Sequence, residues 1–229
     1  MCCRYYIQVS AWLRPITAAA QRSHLYTHNI ERIPKPVTVD GEIFPDMMVP
    51  VVATGKSGKR AAFPMIWGYN IPGIEHVVAN ARVETAAEKP SFRDGWNAHR
   101  CIVPASWYYE WEHLPAPHGK TRPGSKYAIM TRDSEVTWMC GIYRLEDDFP
   151  HFVILTREAA EDISHIHDRM PLILPEAEAR RWVDPNQNPH MLLSSAVTDL
   201  VCEKEERSLG ERSPLDYVRP PIIYYDSPR

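Results

Sequence analysis

Cys2, directly behind Met1, is the residue with the most distinctive chemistry in this chain. Methionine aminopeptidases remove an initiator methionine that precedes a small residue. The mature chain is therefore expected to begin with a cysteine whose free α-amine stands beside its thiol. Such a 1,2-aminothiol condenses with an aldehyde to give a five-membered thiazolidine ring, which neither an internal cysteine nor a lysine can form. An α-amine has a pKa near about 7.7–8.0, so a neutral, nucleophilic fraction exists at pH 7. A thiol has a pKa near about 8.5 and can then close the ring. Cys2 also reads as a small apolar member of a first strand, and its position alone does not choose between the two.

Three further segments hold residues able to do chemistry. In 79-ANARVET-85, Asn80, Arg82 and Glu84 alternate, so on a strand they share one face. That face is either a solvated edge or the wall of a pocket. In 101-CIVPASWYYEWEH-113, alternation places Tyr108, Glu110 and Glu112 on one face and Trp107, Tyr109 and Trp111 on the other. Glu110 among aromatics is either a carboxyl raised by desolvation or a surface group on a strand. In 165-HIHDRMP-171, a histidine suits acid–base work because its ordinary pKa lies near about 6.5. No further His, Cys or Glu cluster stands at ligand spacing, so no metal site is expected.

These segments need elements to hold them. Residues 1–9, 47–54, 60–67, 77–82, 100–112, 126–131, 135–143 and 151–156 read as extended. The GKSGK run between the second and third of these lacks the phosphate-loop pattern and reads as a hairpin turn. Helices are expected over 10–28 with Ser10 as N-cap, over 157–164, and over 175–183 just after Pro175. Residues 113–125 read as loop by composition, and 214–218 as a closing strand. Strands outnumber helices and do not alternate with them. The expected fold is α+β: a curled, mostly antiparallel, barrel-like sheet with a few short helices, in a single domain over 1–229. The 21 prolines among 229 residues, about 9% against a usual figure of roughly 5%, agree with many short elements.

Composition excludes several classes. A net charge of −3 argues against coating nucleic acid by bulk charge, but leaves room for a local basic cleft. The five cysteines are odd in number and do not follow zinc-ligand spacing. With neither a signal peptide nor an apolar span, a cytoplasmic protein with free thiols is expected, with no membrane and no obligate protein partner.

MCxRY at the N-terminus, then NARVET, then RCIVPASxYYEW, then IHDRMPLIL occur here in one order. Together they resemble the SRAP family (SOS response-associated peptidase), from residue 1 to about residue 218. The resemblance implies a protein that senses abasic sites in single-stranded DNA and cross-links to the open-chain sugar aldehyde, without a cofactor. It implies Cys2 as nucleophile, Asn80 as a hydrogen-bonding group that orients the adduct, Glu110 as a proton shuttle at the α-amine, and His167 as the acid/base for sugar ring opening. Some members also remove a short N-terminal extension by autoproteolysis. Arg4, Arg82 and Arg169, within the same motifs, are candidate phosphate ligands, each with a structural ion pair to Glu84 or Asp168 as the alternative.

The chain departs from the family pattern at Cys3 and Trp107, both commonly glycine. The loop 68–78, where some members carry base-wedging aromatics, offers only Tyr69. Two other readings stay open. One is an N-terminal-nucleophile amide hydrolase, with the Cys2 amine as its own base. The other is a non-covalent single-stranded DNA-binding module.

Overall fold

The computed structural model describes residues 3–117 and 120–205. Cys2 and the strand expected at 214–218 lie outside the described residues. The chain opens with β1 (Arg4–Ile7), α1 (Arg14–Gln21) and α2 (His24–Asn29). The continuous helix expected over 10–28 is thus two. Pro15 has no N–H to give and fits only a first turn, so α1 starts there rather than at Ser10. Ser10 instead accepts from the Leu13 N–H in a preceding turn. Ser23 then opens α2 by accepting from the Leu25 N–H.

After β2 (Gly41–Ile43) come β3 (Met48–Thr54) and β4 (Arg60–Trp67), joined by the expected hairpin turn. Gly58 takes a positive φ of 75° there, and the Gly55 N–H closes the turn onto Lys59 O at 2.9 Å. Short β5 (Asn80–Arg82) leads into α3 (Val83–Ala86) and α4 (Pro90–Ala98), and then β6 (Arg100–Ala105), β7 (Trp107–Pro115) and β8 (Thr121–Thr131) follow. Residues 113–125, expected as loop, are therefore mostly strand. Pro123 is tolerated in the ladder because it faces His113, whose N–H bonds to Ile166 O at 3.0 Å and asks nothing of β8.

Strands β9 (Thr137–Glu146), β10 (Phe149–Glu158) and β11 (Arg169–Pro171) come next, with α5 (Glu176–Trp182), α6 (Pro189–Leu192) and β12 (Leu200–Lys204) last. The helix expected at 157–164 shrinks to one 3-10 turn, Glu161–Ile163, because Arg157 and Glu158 are taken into the ladder with Met170 and Arg169. The helix just after Pro175 forms as expected.

Five strands close into a barrel: β4, β3, β6, β9 and β10, with β10 returning to β4. All contacts in the ring are antiparallel except β10 with β4. Phe152 and Ile154 of β10 enter a core shared with Val103 and Met139, while Val153 and Leu155 pack with Trp96 and Trp182 from α4 and α5. Strands buried on both faces explain the near-continuous apolar runs in β6 and β10. Gly141 is required at the crossing, since a Cβ there would meet Val153 O at 2.8 Å. A second sheet, ordered β12-β8-β7-β1-β2, lays Tyr5, Ile43, Tyr108 and Ile129 against the barrel core. The architecture is the expected curled, mostly antiparallel α+β fold. Among the described residues, no helix is long and apolar enough to cross a membrane.

One buried cation ties the helices to the barrel. Arg100, 3% exposed, donates to Trp96 O, Asn97 O, Trp182 O, Asp184 O and Gln187 O at 2.6–3.0 Å. These carbonyls lie at and beyond the C-terminal ends of α4 and α5, where helices leave acceptors unsatisfied. Replacing Arg100 by Leu strands all of them in a buried site. The expected loss is about 3 kcal/mol or more of unfolding free energy, read from urea denaturation. A loss within about 0.5 kcal/mol, typical of a surface substitution, would show that the carbonyls are not held this way.

Candidate active site

The pairing of β1 with β7 sets Tyr5 opposite Tyr108 and Arg4 opposite Tyr109. Cys3 precedes this ladder, and its thiol feels the charge of Glu110, the residue that follows Tyr109. Glu110 is 3% exposed, on the face of β7 that meets the core. Burial pushes its carboxyl up to about 7, with the charge of Asp168 adding to the effect. The Cys3 thiol is pushed up to about 11, chiefly by burial and further by Glu110. Cys3 is thus a protonated, weakly nucleophilic thiol at neutral pH.

His167 is 2% exposed and comes from the segment between the 3-10 turn and β11. Burial drives its pKa well down, and neighbouring His113 and Arg169 add to the shift, so the ring is neutral at pH 7. Its Nδ1 lies 2.9 Å from the Arg169 backbone N–H and 2.8 Å from Asp168 Oδ1. A single nitrogen cannot accept and donate at once. In the neutral ring the Arg169 N–H makes Nδ1 an acceptor, and the N–H tautomer is at Nε2. On protonation the Asp168 carboxylate becomes the partner. The site therefore offers a partner to either protonation state.

His113, which spacing did not single out, joins this cluster. Its ring centroid stands 4.1 Å from that of His167, and its backbone N–H bonds to Ile166 O. Next to it the ladder slips between Trp111 and His113, where Gly124 and Ser125 face Glu112, and such bulges bend a strand end. His113, His167 and Asp168 each offer one ligand atom, and these atoms lie within 4.8 Å of one another. Two neutral imidazoles and a carboxylate are a donor set suited to a transition metal. Sequence spacing could not have found it, because His113 belongs to a different strand.

Asn80, 9% exposed, and Arg82 stand at the two ends of β5, opposite Ile154 and Thr156 of β10. Glu84 follows in α3 and holds Arg169 through two bonds of 2.7 and 2.8 Å. Burial alone would raise the Glu84 carboxyl, but the Arg169 bonds, helped by Arg82, hold it below its usual value. The ion-pair alternative raised for Arg169 is therefore realised, and Arg169 also reaches Thr156 O. Its buried Nε has no hydrogen-bond partner among the described residues. Arg4 stands across the sheet from Glu110, 3.4 Å from Glu42 and over the rings of Phe44 and Trp111. Trp107 stacks on Tyr6 on that same outer face, with centroids 4.5 Å apart. Tyr69 is 1% exposed, packed against Phe92 and beneath Arg144, and cannot serve as the surface aromatic of its loop.

The arrangement can move protons in a dry setting. Its groups are a carboxyl poised near neutrality, which acts on Cys3, and a neutral imidazole. An acid whose pKa rises on folding stabilises the protein fully below its unfolded value, near 4.5, and loses that contribution as pH climbs through about 7. Glu110→Gln removes the titration. Relative to the wild type, the variant should gain up to about 3 kcal/mol at pH 8 and nothing at pH 4, measured by urea unfolding at both pH values. A difference independent of pH would contradict a raised Glu110.

Comparison with known proteins gives the chain a family. The chain matches the family SOS response associated peptidase (SRAP) over residues 1–208. It is 37% identical over 127 residues to the abasic site processing protein YobE of Bacillus subtilis, covering 53% of this chain and 56% of that one. It is 33% identical over 126 residues to the abasic site processing protein YedK of Escherichia coli, covering 52% and 54%. The chain thus spans about half the length of the curated relatives it matches. A solved structure from Bacteroides thetaiotaomicron shares the fold with a TM-score of 0.68 at 21% identity, over 90% of this chain and 93% of that one.

Proposed function

Since this chain belongs to the SOS response associated peptidase family, we propose that it captures abasic sites in single-stranded DNA, as a covalent thiazolidine formed by Cys2 once Met1 is removed. The relatives' description as abasic site processing proteins supports the substrate class. The observation that carries the reading is Glu110: a buried carboxyl that titrates near 7 and is coupled to Cys3, the neighbour of Cys2.

The steps balance without a cofactor. The abasic sugar rests mainly as a closed hemiacetal. His167, neutral at pH 7, takes the C1′ hydroxyl proton as the C1′–O4′ bond breaks, and a proton is passed on to O4′, giving the aldehyde and a 4′-hydroxyl. The carboxylate of Glu110 takes a proton from the α-ammonium of Cys2, and the free amine adds to the aldehyde carbon. Glu110 returns that proton to the departing hydroxyl, and one water leaves to give the imine. The Cys2 sulfur adds to the carbon of the protonated imine, its proton passes to the Glu110 carboxylate, and the ring closes. Asn80 is proposed to orient the adduct by hydrogen bonding. Arg82 is proposed as a phosphate ligand. Arg169, bound to Glu84, would contribute its spare Nε–H, and Arg4 would bind strand that crosses the outer face. The same amine, thiol and carboxyl would serve removal of an N-terminal extension, and the protein would act on DNA in the cytoplasm.

The test is a denaturing gel. Protein confirmed by mass to lack Met1 is mixed with an oligonucleotide bearing one abasic site. The wild type should give a heat-stable shifted band, Cys2→Ala none, and Glu110→Gln a band formed roughly 10²-fold more slowly or worse. A stable band from Cys2→Ala would remove Cys2 as the nucleophile. Catalytic hydrolysis of peptides with no band would favour the amide-hydrolase reading.

A further inference from the structure

The cluster of His113, His167 and Asp168 is more than an acid–base pair needs. We infer that these three side chains form a binding site for a divalent transition cation, Zn²⁺ foremost, whose occupancy competes with proton transfer by His167. The three ligand atoms lie within 4.8 Å of one another. A tetrahedral zinc site with Zn–N distances of about 2.0–2.1 Å sets its ligands roughly 3.3 Å apart, so the widest separation closes by up to about 1.5 Å while the tightest opens by about 0.5 Å. The closest pair, His167 Nδ1 and Asp168 Oδ1, stand 2.8 Å apart, and a cation bound at Nδ1 takes the place of the Arg169 backbone N–H. The contraction is available because the Asp168 side chain is 76% exposed and His113 is half-buried, while His167 is fixed. Exposure of Asp168 also gives the cation a way in from solvent.

The positions of the ligands are built by the fold. The His113 N–H to Ile166 O bond pins the end of β7 to the segment carrying His167. The bulge beside His113 bends that strand end. Two imidazoles and one carboxylate favour zinc and its neighbours over magnesium or calcium, which prefer all-oxygen sets. Three protein ligands leave a fourth position for water or an anion.

Binding of the metal does not depend on the function proposed above. Its consequence does: a cation on His167 takes the lone pair that would accept the sugar proton, so loading should slow capture of abasic DNA, and a chelator should restore it.

The experiment is calorimetric titration of Zn²⁺ into the full-length protein without DNA, with Co²⁺ absorption as a second readout. The wild type should bind one ion, with a cobalt spectrum free of thiolate charge-transfer bands. His113→Ala and Asp168→Asn should each weaken binding by at least about tenfold. Cys3→Ser should leave it unchanged. His113→Gln, which keeps a side chain of similar length, guards against misfolding of the alanine variant and should weaken binding equally. No binding by the folded wild type, or binding lost in Cys3→Ser and kept in His113→Ala, would overturn the site. Because DNA is absent, failure of the cross-linking reading would leave this result standing, and the reverse also holds.

Discussion

The antiparallel pairing of β1 with β7 is the constraint on which the site depends. It is a short ladder, Arg4–Tyr6 against Trp107–Tyr109, yet it fixes the start of the chain against the strand that carries Glu110. Its strength comes from burial more than from its few backbone bonds. Tyr5, Ile7 and Tyr108 are all within 1% of full burial, in a core that continues into the barrel through Val103 and Met139. A slip of one residue would turn every inward tyrosine outward, so the register is strongly specified. The strand Arg4–Ile7, just after Cys3, is then positioned by an apolar core that runs on into the barrel.

The same burial makes the site chemically useful and thermodynamically costly. Desolvation raises Glu110 and Cys3 and lowers His167, in each case disfavouring the charged form. A neutral imidazole and a half-ionised carboxyl follow at neutral pH. Around them the charges that must persist are paired: Arg169 with Glu84, and Arg100 with the carbonyls beyond two helix ends. Stability given up at Glu110 is offset by such contacts and by a barrel whose strands are buried on both faces.

Much of this was legible in the chain. Strands of the barrel announced themselves as β-branched, apolar runs, and the GKSGK hairpin by its glycines. Alternation set Glu110 on the opposite face from Trp107 and Trp111 but did not say which face is buried; the structure turns the Glu110 face into the core. What was hidden has common causes. Residues 113–125 looked like loop from their prolines, but His113 bonds to Ile166 rather than to β8, which frees Pro123 from a ladder duty it cannot perform. Residues 157–158 stayed in strand because β11 arrives later to pair with them. His113 beside His167 is a tertiary contact that spacing does not encode, and Tyr69 is drawn inward by Phe92 and Arg144. Local propensity was overruled wherever a distant strand supplied a partner.

The central claim is that one cysteine, at the start of the chain, is consumed together with its amine. It is tested most directly by counting thiols in the isolated adduct. The chain has five cysteines. Protein cross-linked to abasic DNA, digested to the sugar remnant, denatured and alkylated, should carry one alkyl group fewer than free protein by intact mass. Peptide mapping should place the loss at Cys2, and borohydride should add no hydrogen to a closed ring. A full complement of alkylated thiols, with mass gained on borohydride treatment, would mean that the link is an imine and that the sulfur takes no part.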